Sequence, residues 1–160
     1  MKTATTSFEG VLLPSEGSEI VLKLNSGKSD KVSQNKNLPE VMVLHTGGTI
    51  ASKVDYATGG VVAQFDPDEL LGLFPELRDV AFIKSTLIGN MQSDDFRFSN
   101  FNTIATAVLE HAKKGVKKFI VTSGTDFLHY LSSALSFMLK DFPVGVLVVG
   151  SKRCSDIGSS

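Results

Sequence analysis

From residue 40 onward, short apolar runs alternate with longer segments of helical period. Val41–Leu44, Lys118–Thr122 and Val144–Val149 are brief and apolar almost throughout, and Val80–Lys84 is a fourth strand candidate. Strands of that texture are usually buried on both faces, the signature of a parallel sheet. Ser93–Lys114 turns helical: Phe101, Ile104, Ala105, Val108 and Ala112 recur at i, i+3, i+4, i+7 and i+11, one stripe along one face. Gly115 then supplies a C-terminal stop. Phe127–Leu139 reads as a second helix, apolar on most sides. Asp66-Pro67-Asp68-Glu69 reads as the start of a short helix ending before Pro75, with Asp66 as cap and Pro67 at the first helical position. Strand, helix, strand, helix, strand in that order predicts right-handed crossovers. The expected fold is α/β, an open, mostly parallel, doubly wound sheet.

The beginning of the chain has a different texture. Residues 7–13 and 19–24 are β-type runs separated by Pro14-Ser-Glu-Gly17, a hairpin. Residues 25–39 are polar and aperiodic, closed by Pro39. The organisation expected is an abbreviated β-hairpin segment with its linker over 1–38 and an α/β domain over 39–160.

Composition narrows the function classes. Hydrophobic residues make up 42% of 160, enough for a packed core rather than a disordered chain. Sixteen basic residues against 17 acidic leave a net charge of −1, so no basic excess points to nucleic acid or a membrane surface. The single cysteine, Cys154, excludes an intramolecular disulfide and fits a reducing compartment. Met1–Phe8 has no apolar core of signal-peptide length, and Val144–Val149 is too short to span a bilayer. A cytoplasmic protein that does not enter membranes is expected.

The chemistry concentrates where strands end. Val43–Ile50 reads Val-Leu-His-Thr-Gly-Gly-Thr-Ile, and Val121–Asp126 reads Val-Thr-Ser-Gly-Thr-Asp. Ligands of open α/β sheets sit beyond the carboxyl ends of the strands. The hydroxyls of Thr49 and Thr125 are therefore placed at one edge, with the Asp126 carboxylate beside the second and Gly150-Ser-Lys-Arg-Cys-Ser-Asp156 as a third loop. A threonine hydroxyl is a poor nucleophile until a neighbour takes its proton, and glycine N–H groups can face an oxyanion. Taken alone, Gly47-Gly48 is a tight turn, and Asp126 is a helix N-cap. Tyr56, in a loop bounded by Gly59-Gly60, is either a lid phenol or an exposed loop aromatic. Gly47-Gly48-Thr49 fits neither the dinucleotide fingerprint nor the phosphate-binding loop. His45, His111 and His129 have no metal-ligand spacing to one another or to Cys154, so neither metal nor cofactor is expected. Lys113, Lys114, Lys117 and Lys118 flank a helix end, where they suit the helix dipole.

Thr46-Gly-Gly-Thr-Ile-Ala-Ser-Lys-Val-Asp-Tyr56, followed by Thr58-Gly59, resembles the first active-site motif of the bacterial-type L-asparaginase family, in particular its archaeal glutamyl-tRNA(Gln) amidotransferase branch. Val121-Thr-Ser-Gly-Thr-Asp126, with His129-Tyr130 and Ala134–Leu139 behind it, is similar to the second motif and its helix. The resemblance implies a partial asparaginase N-terminal domain preceded by part of a small β-domain. It also implies side-chain amide hydrolysis through an acyl-threonine intermediate. Thr49 is then the nucleophile, Tyr56 the lid residue assisting it, and Thr125 with Asp126 the second half of the site. Asp126 also meets the substrate's charged amino end, and Gly48, Gly124 and Ser123 are the substrate-binding positions. The family usually carries His or Gly at position 123 and Thr at 127, where this chain has Ser123 and Phe127. It places a catalytic lysine downstream of position 160. The partners implied are asparagine or glutamine, a second protomer, a partner amidotransferase subunit and, indirectly, tRNA. Three readings stay open: an amidohydrolase subunit, a non-catalytic binding or scaffold module, and a fragment without activity of its own.

Overall fold

The computed structural model describes residues 10–13, 21–24, 33–55, 60–63, 75–91 and 93–152. Two compact units divide the chain, 1–31 and 32–160. The first holds β1 (Gly10–Leu13) and β2 (Val21–Leu24), paired antiparallel from Gly10↔Leu24 to Leu13↔Val21. The expected hairpin is therefore present.

The second unit is built on four parallel strands: β3 (Glu40–His45), β6 (Phe82–Leu87), β7 (Lys118–Thr122) and β8 (Gly145–Val149), in the order β6-β3-β7-β8. A short antiparallel pair, β4 (Ser52–Asp55) and β5 (Gly60–Ala63), follows the β3 loop. The helices are α1 (Phe98–Lys113) and α2 (Leu128–Met138). The mostly parallel α/β sheet is as expected. The helix expected from Asp66 lies outside the described residues. Among those residues no helix is long and apolar enough to cross a membrane.

Side chains alternate across the sheet as the pleat requires. Met42, Leu44, Phe119 and Val121 join Ile104, Val108, Leu131 and Leu135 in the main core, beneath both helices. Val43 joins Ala81 and Ile83 on the opposite face, with Val41, Leu77 and Ile120 packed against them. This split follows from handedness. The connections β6–α1–β7 and β7–α2–β8 progress in one direction along the sheet, and right-handed crossovers put their helices on one face. The connection from β3 to β6 runs the other way, so the same rule puts it on the far side, where Leu77 and Ala81 lie.

The α1 stripe is buried residue for residue as its spacing predicts: Phe101, Ile104, Ala105, Val108 and Ala112. Gly115 takes φ +103° just past the helix, a conformation that costs glycine little. Other boundaries differ from expectation. The strand expected over Val80–Lys84 begins only at Phe82, because Val80 N and Ala81 N donate to Leu77 O at 3.2 and 3.1 Å and close a 3-10 turn over Pro75–Asp79. Ser93–Asp95 is a separate 3-10 turn. Asn100 Oδ1 then accepts from Arg97 N at 2.7 Å and starts α1 at Phe98. β8 is not buried on both faces, since Leu147 is 64% exposed. Leu44 has no exposed surface and sits on the central strand β3. Leu44→Ala should lower unfolding free energy by ~3 kcal/mol, the range for buried leucine truncations being about 2–5, read as a fall in the urea midpoint at constant m-value.

Candidate active site

Strand order reverses between β3 and β7: the chain leaves β3 toward β6 and returns past it to β7. Such a switch point opens a crevice at the carboxyl edge of the sheet, because the two outgoing loops turn to opposite faces. The two Gly/Thr loops are the loops of that crevice.

Three hydrogen bonds join the two strand ends. Thr46 N and Thr46 Oγ1 both donate to Thr122 O, at 3.2 and 2.8 Å. His45 Nδ1 lies 2.8 Å from Thr122 Oγ1. All three residues are buried, His45 to 1% exposure. Neighbouring loops attach to the same point. Ile88 N and Gly89 N donate to His45 O, Met91 N to Thr46 O, and Ser123 N to Val149 O.

Glycine permits the closest approaches. Gly48 has φ +78°, and a Cβ there would lie 2.6 Å from Gly124 N and 2.8 Å from Gly124 Cα. Gly47, at φ +102°, is as tightly placed against the Met91 backbone. Only residues without a side chain allow these backbones to touch. A Cβ on Gly150 would meet Ser123 O at 2.8 Å and Thr125 Cγ2 at 3.3 Å, so the loop after β8 closes on the second Gly/Thr loop.

Of the residues singled out from sequence, Thr49 opens a 3-10 turn over Thr49–Ala51 and is half-buried, as is Thr125. Asp126 is exposed. It is not the N-cap of α2: that position is Phe127, and no side chain caps it. Phe127 instead stacks against Phe96 and Phe101 at 6.0 and 6.1 Å between ring centroids, which draws the chain down toward the core. The Asp126 carboxylate is thus not committed to the helix end. Gly48 and Gly124 are buried where the loops meet, and Ser123 has no exposed surface and no hydrogen-bond partner for its hydroxyl among the described residues. Tyr56 lies outside the described residues, in the connection between β4 and β5.

Sequence reasoning missed the joint between the strands. Its signal was a polar residue closing each apolar strand, His45 before Thr46 and Thr122 before Ser123. It also missed Ser93–Asp95, a turn between β6 and α1 that carries two exposed carboxylates, Asp94 and Asp95.

With this geometry established, comparison with known proteins is specific. The family model described as "Asparaginase, N-terminal" matches residues 40–160. The chain belongs to the asparaginase family. Among curated relatives, the D subunit of glutamyl-tRNA(Gln) amidotransferase from Methanosarcina barkeri is 41% identical over 155 residues, which are 93% of this chain and 36% of that protein. Its counterpart from Archaeoglobus fulgidus is 36% identical over 174 residues, covering 96% of this chain and 41% of that protein. Among solved structures, the thermostable L-asparaginase from Thermococcus kodakarensis aligns with TM-score 0.66 and 37% identity, over 76% of this chain and 36% of that one. L-asparaginase I from Vibrio cholerae aligns with TM-score 0.64 and 25% identity, over 74% of this chain and 36% of that one. This asparaginase-family chain therefore spans 36–41% of the length of these relatives.

The joint has an electrostatic consequence. Burial lowers the His45 pKa from 6.5 to about 4, because the charged imidazolium would lose its hydration. The unfolded chain therefore takes up a proton below pH 6.5 that the folded chain refuses until about pH 4. Stability from this residue is complete above 6.5 and falls as pH drops through that window, by ~3 kcal/mol in all. Chemical denaturation between pH 7.5 and 4 should show this loss, and His45→Gln should flatten the slope relative to the unaltered chain. Parallel slopes for the two would show that His45 titrates normally.

Proposed function

We propose that this chain supplies the threonine half of an amidohydrolase centre, which hydrolyses the side-chain amide of asparagine or glutamine and releases ammonia. The observation that carries this reading is the seating of Gly48 against Gly124 at the switch point, one residue before Thr49 and one before Thr125. Relatives of the same family bear names that denote asparaginase and amidotransferase.

In the proposed reaction Thr49 Oγ1 attacks the amide carbon and its proton passes to a neighbouring base. The carbonyl oxygen becomes an oxyanion, met by backbone N–H donors of the glycine loops. The C–N bond breaks, the nitrogen takes a proton and leaves as ammonia, and water hydrolyses the acyl-threonine to restore Thr49. Asp126, exposed and not engaged as a cap, is suited to the substrate's ammonium group. Thr125 serves the second half of the centre, Gly48, Gly124 and Ser123 form its substrate-facing backbone, and Tyr56 assists from the β4–β5 connection. The family resemblance assigns the proton-accepting lysine beside Thr125 to a segment downstream of residue 160. It also assigns the ammonia to a partner amidotransferase subunit acting on glutamyl-tRNA, and the completion of the site to a second protomer.

A centre without one member of a cooperative set works slowly, ~10⁴-fold or more below the complete one. The purified chain should accordingly show slow ammonia release with asparagine or glutamine, and an acid-quenched acyl adduct on Thr49. Both should vanish in Thr49→Ala. Release indifferent to Thr49, or no adduct and no release, would leave only the binding-module and fragment readings.

A further inference from the structure

We propose that residues 34–39 form a strap that clamps the amino end of β6 onto β3, with the Gln34 side-chain amide as its latch. Through β6 the strap also steadies the 88–91 loop on the first Gly/Thr loop. The inference is independent of any catalytic role.

β6 is held weakly by its own side chains. Of its six residues only Ile83 is buried. It packs with Val43 and Ala81, while Lys84 and Leu87 are exposed. Segments with few buried apolar contacts are the ones that open locally. Yet the pairing of β6 with β3 runs unbroken from Glu40↔Phe82 to His45↔Leu87. Contacts at the two ends of the strand make up the difference. At the carboxyl end these are the bonds from Ile88 N and Gly89 N to His45 O and from Met91 N to Thr46 O.

At the amino end they come from the polar stretch ahead of β3. Gln34 Oε1 accepts from Ile83 N at 2.7 Å, and Gln34 Nε2 donates to Ile83 O at 3.0 Å. A carboxamide carries the donor and acceptor of a peptide group. The side chain therefore pairs with Ile83 as a neighbouring strand residue would, and satisfies both of its backbone groups. Further along, Pro39 O accepts from Phe82 N at 3.0 Å. Backbone groups of successive strand residues point to opposite sides. Pro39 leads directly into β3, so it grips the side of β6 that faces β3, and Gln34 grips the other side.

The chain thus passes around the first residues of β6, from one side to the other. The span between the two grips is closed on itself. Asn35 Oδ1 accepts from Asn37 N at 3.0 Å, and Asn35 O accepts from Leu38 N at 3.2 Å. Glu40, next in the chain, meets Lys84 Nζ at 3.0 Å, but both side chains are solvent-accessible and such a pair adds little. The paired carboxamide of Gln34 is the specific contact. A loop laid over a strand in this way is one of the means by which proteins keep a sheet margin from fraying or pairing elsewhere.

The test is amide hydrogen exchange followed by NMR on the 160-residue chain, unaltered and as Gln34→Met. Methionine keeps the length of the side chain and removes both hydrogen-bonding groups. In the unaltered chain the Gln34 carboxamide protons should exchange slowly, and a through-hydrogen-bond coupling should join Ile83 N to the Gln34 carboxamide carbon. In Gln34→Met, exchange at Phe82 and Ile83 should quicken about tenfold, the scale of one or two lost hydrogen bonds. Met91, at the far end of β6, should quicken in the same sense. Phe119, enclosed in β7, should keep its rate. Asn37 is exposed and engages through its backbone, so Asn37→Ala should match the unaltered chain. Trypsin gives a second readout: the exposed Lys36, inside the strap, should be cut faster in Gln34→Met than in the unaltered chain. Unprotected Gln34 carboxamide protons in the unaltered chain would overturn the proposal. So would a response confined to Ile83, an equal loss of protection at Phe119, or unchanged cutting at Lys36.

Discussion

Everything at the carboxyl edge of the sheet hangs on the carbonyl of Thr122. It accepts from both the backbone and the side chain of Thr46, while the Thr122 hydroxyl meets His45. These bonds extend the β3–β7 ladder one residue past the strands, so the two loops leave in fixed register. Only then can Gly48 and Gly124 face each other at backbone distance. A buried polar group left without a partner costs about 1–3 kcal/mol, so an alternative arrangement that broke this knot would be penalised repeatedly. The same burial keeps His45 neutral at ordinary pH, which makes the knot an uncharged one.

Local periodicity carried much of the fold. The α1 stripe needed only the 3.6-residue repeat, and β7 needed only an apolar run ended by polar residues. Misplacements came where apolar content and geometry diverge. Val80-Ala81 looks like the start of a strand, yet Val80 is 67% exposed because the preceding 3-10 turn takes its N–H. Asp126 looks like a cap. The aromatic stacking of Phe127 with Phe96 and Phe101 shifts the helix start beyond it. That stacking joins residues 26 and 31 positions apart, which no local window reveals. The His45–Thr122 bond spans 77 positions and was equally hidden.

The candidate site was legible as residue types and illegible as geometry. Thr49, Thr125 and Asp126 stand out because hydroxyls, glycines and a carboxylate follow apolar strands. Which loops meet depends on strand order, and the reversal between β3 and β7 is a property of the whole sheet. Ser123 shows the difference. By position it is expected to face substrate. In the fold its side chain is wholly enclosed, while its N–H and carbonyl are held against Val149 and Gly150. Its backbone is what fastens the second Gly/Thr loop to the end of β8.

That backbone also ties the site to the sheet edge. Val149, the last residue of β8, accepts from Ser123 N at 2.9 Å, and Gly150 leaves no room for a side chain between Ser123 O and the Thr125 methyl. The position of the second Gly/Thr loop therefore depends on where β8 ends. Any displacement of that strand end would carry through Ser123 to Thr125 as well. The end of β8 and the second Gly/Thr loop are, in this topology, one joined unit.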